Sequence, residues 1–254
     1  MLRELLQLGQ RERLARVKVD EAARSVAHLL LREAARRGTS ERRDLAEVAA
    51  AAVEQGLTGL CARIPGDIGL AAWSEIGEAC RQENRLAEAE AALRRAASYL
   101  EEAADPAERA RYLRRLARLR RDQDHFEEAL ALLDRAAHVF KTVGFEEERT
   151  GVLLERAWLH LERRHPQEAR KDLGQVAAAG QYLAPASASA LVRCNAWALV
   201  AEDHLEEAIA ALDQGERLFG WSEGSKEHAD CLALKARLEE RRRGEAPGAP
   251  AEAR

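Results

Sequence analysis

An alanine returns every forty residues in this chain. Ala89, Ala129, Ala169 and Ala208 lie 40, 40 and 39 positions apart. Each has the same neighbours, an apolar residue three places before and a leucine four places after. The frames are Leu86-Ala89-Leu93, Phe126-Ala129-Leu133, Pro166-Ala169-Leu173 and Leu205-Ala208-Leu212, with the proline as the one departure. A fixed period in this range predicts a repeat architecture, because one unit of that length cannot bury its apolar face alone and must stack on the next. The expected product is a helical scaffold that holds other molecules.

Composition fits packed amphipathic helices. Of the 254 residues, 46% are hydrophobic, carried mainly by alanine and leucine, only 4% are aromatic, and 33% are charged. Small apolar residues under densely charged faces let helices approach closely. The net charge of −4 gives no global basic field for nucleic acid. Basic charge is almost all arginine, 35 against 5 lysines. Two origins are open: the codon usage of a GC-rich bacterial genome, or arginine selected for carboxylate and phosphate recognition. Cys61, Cys80, Cys194 and Cys231 have neither zinc nor redox spacing, and Cys80 and Cys194 fall on apolar helix faces. A reduced, cytoplasmic protein is expected. The first residues are charged within one turn, unlike a signal peptide, and no stretch approaches the ~20 apolar residues of a membrane span.

Helix after helix can be placed by punctuation. Asp105-Pro106-Ala107-Glu108 predicts a cap, a proline at the first helical position and a glutamate at the third. His165-Pro166 and Ala184-Pro185 start helices similarly, and Ser225 is placed to cap the last one. Gly144 and Gly180 stand at helix ends. The predicted pairs are 68–83 with 86–104, 106–123 with 126–142, 146–163 with 166–179, and 186–202 with 205–219. A single helix at 226–243 is expected to cover the end of the array. Residues 1–67 form an N-terminal helical region, with helices near 2–16, 20–37 and 41–55. One reading makes 20–55 a degenerate first repeat, since Ala49 precedes Ala89 by 40. The tail 244–254 is too rich in Gly and Pro to pack as a helix and is expected to be disordered.

Trp73, Ile76, Gly77, Ala89, Leu93 and Ala96 stand at the tryptophan, leucine, glycine, alanine, phenylalanine and alanine spacing of the tetratricopeptide repeat (TPR) family, which the chain resembles. Leu113, Leu116, Ala117, Phe126, Ala129, Leu133 and Ala136 repeat the pattern. The third and fourth units match less, with Arg156 and Asn195 where the family has leucine, and the period exceeds the family's 34. It also looks like the long-period helical repeats that follow regulatory modules in some bacterial signalling proteins. The resemblance implies an all-α fold, a right-handed superhelical solenoid of stacked antiparallel helix pairs over 68–243. It implies a concave face, lined by the first helix of each pair, that binds extended or helical peptides. Trp73, Ile76, Gly77, Ala89, Leu93, Ala129, Leu133, Ala169, Leu173, Ala208 and Leu212 are then the structural core.

Projecting the repeat frame gives a candidate partner-binding groove. In the second unit it comprises Arg111, Arg114, Arg118 and Arg121, at i, i+3, i+7 and i+10 along one helical stripe. Guanidinium forks there would bind carboxylates or phosphates. The alternative is a solvated face neutralised by acidic neighbours such as Glu78 on the preceding helix. The third unit contributes Leu154, Trp158 and Leu161, and the fourth Arg193 and Trp197. Each tryptophan faces either the groove, as a hot spot, or the core of its helix pair, and the Leu154, Trp158, Leu161 set reads also as the buried stripe of its helix. Trp221, in the turn after Phe219-Gly220, is expected to staple the last repeat to the final helix. The family's lysine and asparagine grip on a terminal carboxylate is not supported, because Ser74 and Glu78 stand at its places.

No catalytic constellation is legible. There is no His-Glu-x-x-His, no phosphate-cradling glycine loop and no serine elbow, and no histidine pair lies at i, i+4. His125 and His204 fall in turns, and His165 is expected to cap a helix. The expectation is therefore a chain that is not an enzyme, with no cofactor and no metal. It would act as an adaptor for a protein or peptide of acidic character. Three alternatives remain at this level: sequestration of a bacterial transcription or signalling factor, RNA binding, and a regulatory subunit for an enzyme on another chain. RNA is disfavoured by the acidic balance and by Tyr112 being the one aromatic among seven arginines in 109–121. A homo-oligomer through solenoid ends is a further option, and the stripe Leu2, Leu5, Leu6, Leu8 reads equally as an end cap or a dimer contact.

Overall fold

The computed structural model describes residue 43 and residues 66–178, 183–221 and 224–244. The expected N-terminal helices, the degenerate repeat, the leucine stripe, Cys61, Gly180 and nearly all of the tail lie outside the described residues. Among those described there are nine α-helices and no strand: α1 Gly66–Gln82, α2 Leu86–Ala97, α3 Pro106–Asp122, α4 Phe126–Val143, α5 Glu146–Glu162, α6 Pro166–Ala177, α7 Pro185–Ala201, α8 Leu205–Phe219 and α9 Lys226–Arg242. None is long and apolar enough to cross a membrane. The chain divides into two compact units, one ending at Val139 and one beginning at Phe140. In the first, α1 packs on α2 and both pack on α3. In the second, α5 packs on α6 and α7, α6 on α7, α7 on α8 and α9, and α8 on α9.

The forty-residue alanine marks one register in every pair. It is the fourth residue of each second helix, and all four copies are fully buried. The twelfth residue of each first helix is equally small: Gly77, Ala117, Ala157 and Ala196, all buried. Leu93, Leu133, Leu173 and Leu212 are buried beside these alanines, as is Ile76. Trp73 is half-buried against the α1–α2 core, and its indole nitrogen is enclosed without a hydrogen-bond partner. A Cβ added to Gly77 would stand 2.8 Å from Leu93 Cγ and 3.3 Å from the Ala89 carbonyl oxygen. The two helices approach so closely that the residue between them cannot carry a side chain.

The turn inside each pair is also a repeat. Asn84, Asp124, Arg164 and Asp203 all have positive φ, between 59° and 67°. The next residue's N–H reaches back to a carbonyl five places earlier, at 2.8 Å in every copy: Arg85 to Cys80, His125 to Arg120, His165 to His160 and His204 to Leu199. These are Schellman closures, which satisfy carbonyls left open at a helix end. Glycine normally fills the left-handed position. Here short polar residues, which tolerate it, fill three of the four.

Helix starts follow the predicted chemistry with corrections. The Asp105 carboxylate accepts from the Ala107 N–H at 2.8 Å, and Ser225 Oγ accepts from the His228 N–H at 3.2 Å. Pro106, Pro166 and Pro185 open their helices. His165 occupies a cap position, but its side chain makes no capping bond. The helix expected to run to residue 104 stops at Ala97. The Ser98 hydroxyl donates to the Arg95 carbonyl at 2.7 Å, and the Tyr99 and Leu100 amides switch to carbonyls three places back. That tightening turns Tyr99 and Leu100 onto the core. At Gly144 the helix ends as predicted, with φ 77° and a Phe145-to-Phe140 closure of 3.0 Å.

Two stability measurements check this account. Gly77→Ala should destabilise the chain by about 1–2 kcal/mol, because overpacking against Leu93 outweighs the gain of about 1 kcal/mol in helix propensity; equal or higher stability in urea would refute the close contact. Arg164→Gly should stabilise by about 0.5–1 kcal/mol, since a long side chain in the left-handed region is strained and glycine is not; a lower melting temperature would contradict the turn geometry.

Candidate functional site

On α3 the predicted arginine stripe occupies the sixth, ninth, thirteenth and sixteenth helical positions, and all four arginines are half-buried. Their guanidiniums are engaged within the fold. Arg111 Nη1 donates to Glu108 Oε1 at 2.6 Å, one turn back on the same helix. Arg118 Nη1 donates to Glu78 Oε1 on α1 at 3.0 Å. Arg121 bonds the neighbouring Asp122 carboxylate through Nε and Nη2 at 3.1 and 3.0 Å. Arg114, between them, is engaged as well.

Glu78 is the centre of this arrangement. It is 2% exposed, and besides Arg118 it receives Arg81 through Nε and Nη2 at 2.9 and 3.0 Å and Gln82 Nε2 at 3.1 Å. Burial by itself would raise its pKa. The Arg81 hydrogen bond and the charges of Arg118, Arg81 and Arg115 more than offset that and hold the carboxyl at about 2. Arg81 in turn reaches across to Asp122 Oδ2 on α3 at 2.5 Å, and Arg115 pairs with Glu75. The two first helices of unit one are thus joined by a ladder, Glu75 to Arg115, Glu78 to Arg118 and Arg81 to Asp122. Sequence reasoning named Glu78 and Arg118 but missed Arg81, Glu75, Arg115 and Asp122. The signal was present as opposite charges one repeat apart, since Glu75 and Arg115, like Glu78 and Arg118, are separated by 40 residues.

In unit two, Leu154 is buried at 7% exposure, as in the buried-stripe alternative for its helix. Trp158 and Leu161 are half-buried on α5. Trp197 is half-buried against the core shared by α7, α8 and α9. Arg193 Nη2 lies 3.6 Å from Asp230 Oδ2 on α9, and its Nε is buried without a partner. Trp221 stacks on Phe219, centroids 5.6 Å apart, and packs on the same core as α8 and α9.

The third pair hides a polar contact where the repeat pattern asks for leucine. Arg156 Nε and Nη2 donate to the two oxygens of Asp172 at 2.8 and 2.5 Å, and Asp172 is 3% exposed. His160 Nε2 stands 4.0 Å from the same carboxylate, while burial pushes the imidazole below its usual range. Its Nδ1 is enclosed without a partner. Among the described residues no group of three or more His, Cys, Asp or Glu could hold a metal ion.

The ladder has a pH signature. Glu78 is held below its ordinary 4.5, so the stability it supplies is complete above pH 4.5 and is lost as pH falls towards about 2. Glu78→Gln should cost about 2–3 kcal/mol at neutral pH, because two partly buried guanidiniums lose their counter-charge. The gap between wild type and variant should close across that acid window in urea titrations. A gap independent of pH would show that the carboxylate does not hold the two helices.

No family model and no curated protein matches the chain; solved structures do. One is a variant form of a kinesin light chain-like protein with nearly identical TPR-like repeats, from Podosopora anserina. It is 23% identical, with a TM-score of 0.58 over 77% of this chain and 93% of that one. A second structure of the Podosopora anserina repeats is 21% identical, with a TM-score of 0.56 over 85% and 100%. BtubC (BKLC) from P. vanneervenii is 14% identical, with a TM-score of 0.60 over 86% and 97%. The helix pairs of this chain have the TPR-like repeat fold.

Proposed function

We propose that the chain is a noncatalytic protein-interaction scaffold and that the α3 face of unit one receives an acidic segment of a partner protein. The observation that carries this reading is the concentration of guanidinium on α3. Residues 109–121 hold seven arginines, among Glu108 and Asp122 on the same helix, Glu75 and Glu78 on α1, Glu90 on α2 and Glu128 on α4. Ion pairing orients these forks. A carboxylate-bearing segment would meet planar donors already fixed in place, and fixed donors cost less side-chain entropy on binding. The TPR-like fold supports a scaffold over a catalyst. The thiols fit a reducing, cytoplasmic setting: Cys80, Cys194 and Cys231 are buried and in no disulfide, and burial pushes Cys194 up to about 12.

The test separates the binding face from the ladder beneath it. Arg118 must stay, because it holds Glu78. In Arg111→Glu/Arg121→Glu, affinity for a captured partner should fall about tenfold or more. Binding by wild type should weaken steeply between low salt and about 0.5 M, since exposed charge pairs are screened. Undiminished affinity in the double variant, with an unchanged melting temperature, would sink the assignment of this face.

A further inference from the structure

Unit two contains a second recessed surface, unrelated to the arginine face. It is a cleft of about 880 Å³ walled by α6 and α8 and floored by α7. Leu173, Leu191, Leu218 and Phe219 line it, and Leu218 is 69% exposed at its edge. Its volume lies within the roughly 300–1,000 Å³ typical of ligand clefts. Three local departures from the repeat coincide in it.

The first is Gly174, the ninth residue of α6. The ninth residues of the other second helices are Arg94, Asp134 and Asp213. Neither packing nor backbone demands the glycine, because a Cβ there would meet nothing within 4 Å and its φ is not positive. Glycine is the poorest helix residue after proline. What it provides is open space in the cleft wall.

The second departure is Asn195 on the floor, the eleventh residue of α7, where α1 and α3 have Ile76 and Leu116. Among the described residues its carboxamide has no hydrogen-bond partner. A carboxamide presents one donor group and one acceptor side by side, which matches the N–H and C=O of a peptide unit.

The third departure is the loss of charge. Unit one has an equivalent cleft of about 600 Å³ over α3, lined by Arg109, Asp134, Arg135 and His138. In unit two the places of Arg109 and Arg135, the fourth of the first helix and the tenth of the second, hold Ala188 and Gln214. The charged residue that remains, Arg170, already donates to Glu202 at 2.7 Å. In a chain with one-third charged residues, the one charged side chain that lines this cleft among the described residues is already paired, and electrostatic complementarity calls for an uncharged occupant.

We infer that this cleft docks an uncharged, apolar peptide segment of a partner protein, one large side chain entering the space over Gly174 and a backbone amide pairing with Asn195. The inference rests on the chain being a protein-binding repeat and adds a second site of opposite chemistry to the α3 face.

The test is to pan a phage-displayed library of random dodecapeptides on the full chain and to measure the enriched peptides by fluorescence anisotropy. Enrichment of uncharged peptides rich in Leu, Met or Phe is expected, with affinity nearly independent of salt. Gly174→Leu should weaken them about tenfold or more, while its melting temperature stays equal or rises because a helix glycine is gone. Asn195→Leu should weaken them less and also keep the fold. Apolar peptides that bind Gly174→Leu undiminished overturn the site. So does competition of a wild-type signal by simple aliphatic amides but by no peptide, which makes it a small-molecule cleft. Enrichment of acidic peptides alone, lost in Arg111→Glu/Arg121→Glu, overturns this inference and leaves the α3 reading standing. No enrichment of either kind overturns both.

Discussion

Every helix pair carries buried residues at one register that are too small to hold two helices apart. Gly77, Ala117, Ala157 and Ala196 sit at the twelfth place of the first helices, and Ala89, Ala129, Ala169 and Ala208 at the fourth place of the second. Close approach lets Leu93 and its repeats fill the remaining space at interior density, where dispersion contacts are most numerous. The turn enforces the same geometry from the other side. One left-handed residue and a 2.8 Å closure leave the chain no slack between the helices. Contact and turn therefore specify one pair geometry twice, a consistency across levels expected of sequences with a single well-defined fold.

Contacts between neighbouring first helices are free to vary because the pair does not depend on them. The thirteenth residues of the five first helices are Glu78, Arg118, Trp158, Trp197 and Leu238. In unit one this position carries an ion pair with Glu78 almost fully buried, and in unit two Trp197 and Leu238 share an apolar core. One backbone position thus takes opposite chemistries. The same tolerance reaches inside the third pair, where Arg156 and Asp172 replace an apolar contact. Such a pair gives little net stability, because desolvation offsets most of its attraction. Its forked geometry does fix how α5 and α6 face each other.

Much of the fold was legible because its determinants are local. The alanine period, the prolines and the caps at Asp105 and Ser225 placed most helices within two residues of their observed bounds. The exception, α2, ends early because Ser98 competes for a carbonyl while Tyr99 and Leu100 turn inward. That choice depends on tertiary burial, which a local pattern does not carry. The turns inside the pairs were placed, with His125 and His204 in them, but their left-handed closure was not read. A glycine signal was sought, and asparagine, aspartate and arginine stand in its place. The arginine stripe was visible as a spacing on one helix. Its pairing with α1 lies across the repeat and needed comparison of residues forty apart. By projection of the repeat frame, Leu154 was left open between the groove and the buried stripe of α5. It lies between Leu153 and Ala157 in a run of buried residues on α5, wider than the stripe the frame assigns to the core.

The same register explains why α9 differs from the helices before it. Its first helical residue is Lys226, so its twelfth is Arg237. The four earlier first helices have glycine or alanine there. A second helix approaching α9 at the spacing of the other pairs would meet a guanidinium stem where the fold requires almost no side chain. The inward face, by contrast, keeps Cys231, Leu234 and Leu238 buried on the core with α7 and α8. One face of α9 thus completes the last pair, while the other lacks the feature that would let a partner helix of the same kind pack. Changing one small residue to a large charged one is enough to make that distinction, because close helix contact fails at a single obstructed point.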